Sequence, residues 1–360
     1  MLDLMIPTTG DKFWESSEIN PRIAEACAHS AARVQWREIG RSEAGRPIHA
    51  CFLGEGTETV LLAAGAHADE PVGPDTLRLL LLSILGNPER FDPLLRRFRL
   101  VMVPHVNPDG EARNQTWIEK WPDTEVFLKA VHRELPGRDV EFGYPAMRPE
   151  NIALAGLIRE LAPLRLYVNL HGMAFSDGVM VLIERTWADR SPLLKDGFRE
   201  LAAAHSWPLH DHDRMGEKGF LYLGAGFTST PEGRAMAAHF RRLGDEASAA
   251  RFHLSSMEWV REQGGDPLCL VTEFPLFMVT RGGPGRQPGI PGDYLALKDR
   301  LPRWRLDLEK GLSIAGGLSE FGVQSFPRSA AIAGQLRVIS LGLRQIGFSG
   351  FDVDLSSREG

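Results

Sequence analysis

Three apolar runs in this chain each hand over to a residue that packing alone does not require. Leu61 to Ala66 leads into His67 and, three positions later, Glu70; Leu164 to Leu170 leads into His171; Leu268 to Thr272 leads into Glu273. Short apolar runs bounded by small or turn-forming residues read as buried strands. A buried strand gains nothing from an unpaired charge at its end, because desolvating that charge is costly. Pro71 suits a first helical turn, and Leu77, Leu80, Leu81 and Ile84 recur at helical spacing, so a helix is expected to follow Glu70. Strand, turn, polar residues, helix is the order in which α/β sheets present a site at the carboxyl ends of their strands.

The residue types narrow the chemistry. Two potential ligands three apart on one turn, with a histidine from another strand end, form the three-ligand nitrogen and carboxylate set that a catalytic zinc uses while keeping one position open for water. His67, Glu70 and His171 are the candidate ligands. Gly172 after His171 permits a sharp turn or a close approach of ligand to backbone. Glu273 is placed to act as general base toward a metal-bound water.

Two further segments carry a family resemblance. Gly40, Ser42, Gly45, Arg46 and Ile48 match the G-x-S-x-x-G-R-x-I hairpin of zinc metallocarboxypeptidases, and Pro104, Asn107, Pro108, Asp109 and Gly110 match their P-x-x-N-P-D-G signature. With His67 and Glu70, His171 and Glu273 in the same order as in the family, the stretch from about 35 to 280 resembles it. The resemblance implies an α/β fold, with a mixed, mostly parallel sheet of about eight strands sandwiched by helices. It implies one zinc ion per chain, held by His67, Glu70 and His171. It also implies that Glu273 deprotonates the zinc water and then protonates the leaving nitrogen, and that Arg113, shortly after the signature, polarises the scissile carbonyl, a role suited to a planar, always charged guanidinium.

The chain departs from the family in two places. Where members carry G-x-D-L-N-R-x-F-P, the best match here runs from Gly137 to Pro145, and the Asn-Arg pair that grips a terminal carboxylate has become Glu141 and Phe142. A carboxylate repels a carboxylate and phenylalanine donates no hydrogen bond, so ordinary carboxypeptidase specificity is not expected. Glu141 is then a candidate reader of a cationic or amino group, and Arg138 and Arg148 are candidates to restore the lost charge from shifted positions, with solvation as their plainer role. Second, the family's substrate-touching tyrosine has its closest positional match in Tyr222, far upstream of Glu273. His205, His210 and His212 with Asp211 and Asp213 suggest a metal cluster, but alternation would send them to opposite faces of a strand, and a loop along the cleft fits them better. Asp177 and Arg185 are further candidates to shape the pocket.

At 360 residues, 43% hydrophobic and 24% charged, the chain reads as a single catalytic domain, 1–360, with an insertion around 176–262. Residues 1 to 34 read as a helical lead-in, 234 to 242 as a helix, 280 to 292 as a Gly- and Pro-rich loop, and 295 to 315 as helical, with no chemistry assigned to the tail. The net charge of -6 and the absence of a basic, aromatic-rich tract argue against nucleic acid as a partner, and no apolar run spans a bilayer. The expected partner is a peptide or small amide substrate. Three cysteines without metal spacing, and a start lacking a basic, apolar leader, fit the cytoplasm. The leading function is therefore hydrolysis of an amide in a peptide or peptide-like molecule. The alternatives are an N-acyl amino acid deacylase of the aspartoacylase or desuccinylase type and a catalytically silent zinc-binding module.

Overall fold

The computed structural model describes residues 12–30 and 33–351. Eight strands form the body of one sheet: β1 (Val34–Arg41), β2 (Pro47–Leu53), β3 (Glu58–Ala64), β4 (Phe98–Val103), β5 (Leu164–Ser176), β6 (Met180–Ile183), β7 (Phe227–Ser229) and β8 (Leu268–Met278). Their spatial order is β1-β2-β4-β3-β5-β8-β6-β7, and a two-residue strand, Gln324–Ser325, pairs with the end of β8. β4, β3, β5 and β8 run parallel through the centre, as do β6 and β7; β1, β2 and the β6–β8 pairing are antiparallel.

Period-two alternation explains why the central strands read as unbroken apolar runs. Val60, Leu62, Ala64, Leu166, Val168, Leu170, Leu268 and Leu270 face one core, while Leu61, Ala63, Tyr167, Cys269 and Val271 face another. Helices cover both faces. Ser16–His29, Val72–Gly86, Pro192–Ala204 and Arg328–Gln345 pack on the first, through residues such as Ile23, Leu81, Phe198 and Leu336. Pro149–Leu161 and Ser256–Glu262 pack on the second through Leu154, Ile158 and Trp259. Helix Val72–Gly86 approaches β5 so closely that a Cβ on Gly73 would lie 2.4 Å from the Leu170 carbonyl oxygen, which ties the start of that helix to the residue before His171.

The strands overrun the ends expected from their apolar runs. β5 continues through His171 and β8 through Glu273, because backbone pairing persists from His171↔Glu273 to Ser176↔Met278. The segment 176–262 is more than a cleft wall, since β6 and β7 extend the sheet within it. The expected helix at 234–242 is observed as Gly233–Arg242, and the tail helix runs Gly292–Glu309. Among the described residues no helix is long and apolar enough to cross a membrane.

Candidate metal centre

The turn after β3 delivers the first two ligands. Gly65 adopts φ 76°, and a Cβ there would lie 2.5 Å from His105 Nδ1, so only glycine lets the chain leave the strand at this angle. His67 Nδ1 lies 2.8 Å from Glu70 Oε1, and His171 Nδ1 lies 2.9 Å from Glu70 Oε2. The two Nδ1 atoms face each other at 3.0 Å. Alternation along β5 places Asn169 and His171 on the face that carries Tyr167, and the His171↔Glu273 register brings Glu273 beside them.

These atoms fit a zinc ion. Three ligand atoms, one from each residue, lie within 4.8 Å of one another, which no other group of histidine, cysteine and acidic residues achieves among the described residues. Tetrahedral zinc with bonds of about 2.0–2.1 Å to nitrogen holds its ligand atoms roughly 3.3 Å apart, close to the Nδ1 separation here. The electrostatics also call for a cation. Burial disfavours charge on His171, yet the Glu70 and Glu141 carboxylates outweigh it and hold the imidazole well above its ordinary pKa. Burial would raise Glu70, but His67, Arg133 and His171 hold it well below the usual carboxylate range.

Glu273 completes the cluster. Its Oε2 is closed off from solvent and has no hydrogen-bond partner among the described residues. Burial first, and the neighbouring Glu70 carboxylate second, push its carboxyl up to about 8. It lines a cleft of about 460 Å³ together with His67, His171, Arg133 and Tyr294.

The structure places the other sequence candidates elsewhere. Arg113 is exposed on helix Pro108–Ile118, with Nη1 3.2 Å from His132 Nε2. Asn107 caps that helix through Gly110 N, so Gly110, Asn114 and Trp117 turn inward and Arg113 turns out. The guanidinium beside the candidate ligands belongs to Arg133, whose Nη1 donates to Asp69 Oδ1 at 2.7 Å and Glu70 Oε1 at 2.8 Å while the side chain stays 43% exposed. Arg148 is buried, with Nη2 3.0 Å from Glu150 and Nη1 3.7 Å from Glu134, which lines the cleft, and Arg138 pairs with Glu43. Tyr222 is exposed, its hydroxyl donating to Asp211; the tyrosine at the cleft is Tyr294, from the tail, where the sequence pattern carries no recognisable chemistry.

Glu141 does line the cleft, but both its oxygens are occupied. Oε1 accepts from Ser256 Oγ and Oε2 from Asn169 Nδ2, each at 2.7 Å, and Oε2 stands 3.5 Å from His171 Nε2. That distance is long for a hydrogen bond, yet Nε2 is buried and has no nearer partner among the described residues. Glu141 therefore stands toward the candidate ligand His171, with both its oxygens engaged by Ser256 and Asn169. The histidine-rich loop is structural where it is buried: His210 Nδ1 sits 2.7 Å from Asp177 Oδ1, and the other oxygen of Asp177 forms an ion pair with Arg286 Nε at 2.9 Å. Arg185 donates to the Gly219 carbonyl.

The two signature segments form one clamp outside the metal cage. Asp109 accepts from Ser42 Oγ at 2.7 Å, Ala44 N at 2.8 Å and Arg46 Nη1 at 2.8 Å. The hairpin and the N-P-D-G turn thus fix each other, and the turn passes the restraint on through Asn107 Nδ2, which donates to Glu134 beside Arg133.

Comparison with known proteins agrees with this geometry. The zinc carboxypeptidase family model matches residues 23–140. "Inactive metallocarboxypeptidase ECM14" of Ajellomyces dermatitidis is 30% identical over 123 residues, covering 31% of this chain and 20% of the fungal protein. "Carboxypeptidase B" of Astacus astacus is 24% identical over 122 residues, covering 33% of this chain and 40% of the crayfish protein. The chain thus matches a fifth to two fifths of the length of these relatives. Bovine thrombin-activatable fibrinolysis inhibitor, solved with tick carboxypeptidase inhibitor, shares the fold with a TM-score of 0.50 at 15% identity, covering 93% of this chain and 98% of that one. Over residues 23–140, which carry the signature clamp and the first two candidate ligands, this chain is similar to the zinc carboxypeptidases, and its sheet shares the fold of the bovine protein.

Proposed function

We propose that the protein is a zinc-dependent hydrolase that cleaves an amide bond in a peptide or peptide-like substrate. The observation that carries this reading is the convergence of His67, Glu70 and His171 beside a glutamate, Glu273, whose Oε2 is shut from solvent and unpartnered in the same cleft. His67 and His171 would hold zinc through Nδ1 and Glu70 through its carboxylate. A zinc ion held there would supply Lewis acidity toward water and a substrate carbonyl.

The remaining steps fall to this chain's own side chains. Glu273 accepts a proton from the attacking water at its carboxylate and returns it to the leaving nitrogen. Arg133, anchored by Asp69 and Glu70, presents a fixed guanidinium at the cleft wall to the oxygen on which negative charge develops, the role that the family resemblance alone would give to Arg113. Gln335 donates to the His171 carbonyl oxygen at 2.9 Å and so supports the strand end from helix Arg328–Gln345. Phe142 lines the cleft where relatives carry the arginine of the carboxylate clamp, so that clamp is not reproduced at this position.

A second reading, a silent zinc-binding module, draws on the names of the fungal relatives, which call them inactive. The two readings separate in one experiment: metal analysis of the purified protein, paired with a chelator-sensitive assay on C-terminal, N-acyl and γ-linked amides. The hydrolase reading expects about one zinc per chain and turnover, with Glu273→Gln retaining zinc and losing about two to four orders of magnitude in kcat. Zinc without turnover on any of the three classes would favour the module, and absence of zinc would remove both.

A further inference from the structure

Three cations line the cleft, and they differ in what already holds them. Arg133 is committed to Asp69 and Glu70. Lys218 lies 3.6 Å from its chain neighbour Glu217. The Arg214 side chain has no hydrogen-bond or ion-pair partner among the described residues, although it is only part exposed. Its guanidinium carbon stands 4.2 Å over the ring of Phe220. Stacking of this kind covers the face of the guanidinium and leaves its edge, where the donors lie in a fork, free.

The surroundings of Arg214 specify what it could receive. Its positive charge acts on both Glu273 and Tyr294, which places it within electrostatic reach of the reacting end of the cleft. Phe220 continues into an apolar basin formed by Met180, Leu182, Met257 and Val271, with Phe240 and Phe252 stacked at 5.3 Å beside it. Phe142 shares the cleft lining with the acidic side chains Glu134, Asp139 and Glu141, which disfavour an anion there. A substrate with an apolar body and one negative group would satisfy both features at once, the body displacing water from the basin and the anion pairing with the guanidinium fork.

We infer that Arg214, supplied by the insertion rather than by the 137–145 segment, is the receptor for a carboxylate on an apolar amide substrate. The inference rests on the reading of this cleft as the substrate site, and it makes Arg214 a specificity-determining residue that touches substrate but takes no part in proton transfer. The insertion then supplies both the apolar basin wall and the charge that Glu141 and Phe142 do not.

The test is calorimetric titration of the zinc-loaded protein with 4-phenylbutyrate and with its uncharged amide, 4-phenylbutyramide, for wild type, Arg214→Ala and Arg214→Gln. Zinc content and melting temperature of each variant establish that the fold is intact. A hydrogen-bonded charge pair predicts that wild type prefers the acid by about tenfold or more, and that both variants lose the preference while binding the amide as before. Absence of a preference in wild type, or a preference that survives in both variants because the acid binds zinc or Arg133 instead, would overturn the inference. Failure of the hydrolase reading looks different: no chelator-sensitive turnover on any amide, with the acid preference still measurable by heat.

Discussion

The metal cage and the cleft wall around it are built in opposite ways. His67 and Glu70 follow directly on the carboxyl end of β3, and His171 and Glu273 pair within β5 and β8, where neighbouring strands and two helical layers fix the backbone. Arg133, Arg214 and Tyr294 reach the same cleft from the loop before β5, from the 176–262 segment and from helix Gly292–Glu309. A strand settles which face a side chain takes as soon as its register is set. A loop residue reaches the site only through long-range contacts, so its neighbours in sequence do not reveal its neighbours in space.

The two arginines sharpen this contrast most. Arg133→Ala is expected to lower kcat by about two to three orders of magnitude, the scale of removing a fixed oxyanion donor, whereas Arg113→Ala, on an exposed helix face, should leave kcat within a factor of two or so. Steady-state kinetics on any amide that the wild type cleaves decides the matter. A large effect at Arg113 with none at Arg133 would return the polarising role to the helix. A parallel zinc measurement is needed on Arg133→Ala, because Arg133 also holds Glu70.

What is legible in the sequence follows the same division. The three apolar runs announce their strands, and the ligands at their ends are the ones the structure gathers. The hairpin and N-P-D-G motifs are visible as a resemblance, yet nothing in them says that Asp109 clasps Ser42, Ala44 and Arg46. Arg113 stands out only through its nearness in sequence to that motif, and helical periodicity turns it outward. Tyr222 stands out only for lying upstream of Glu273, while Tyr294 arrives from downstream on helix Gly292–Glu309. One signal does point to Tyr294: the Gly- and Pro-rich stretch before it is suited to carrying a residue into a cleft, and it is docked by Gly289 N donating to Asp211 and by Arg286 pairing with Asp177.

His105 tests the rigidity of the strand-built half. It is buried against Gly65 just beyond the end of β4, its Nδ1 accepts from Asn107 N at 3.1 Å, and burial lowers its pKa to about 4. The unfolded chain binds this proton near pH 6.5 and the folded chain only near pH 4, so the unfolded state holds more protons throughout that window. Stability therefore falls as pH drops from about 6.5 to 4, by roughly 3 kcal/mol from this residue. Denaturant unfolding between about pH 8 and pH 4 should show the slope, and His105→Gln should flatten it. An unchanged slope in the variant would mean that the region around Gly65 opens to water before the imidazole charges.

Glu141 is where the two constructions meet, and it carries the smallest expected effect. It occupies the family's substrate-clamp position, yet its carboxylate is held by Asn169 and Ser256 and points toward Nε2 of His171. A carboxylate behind a metal-bound imidazole fixes the ring and raises its basicity, and removing such a partner typically costs about 10–100-fold in metal affinity. Glu141→Gln keeps the shape and both hydrogen-bond partners within reach while deleting the charge. Competition with a chromogenic chelator should then show zinc held about tenfold or more weakly, with the KM of a cleaved amide little changed. Unaltered zinc affinity together with a raised KM confined to amine-bearing amides would restore Glu141 to the substrate, and would mean that the strand-built cage needs no support from the segment that departs from the family.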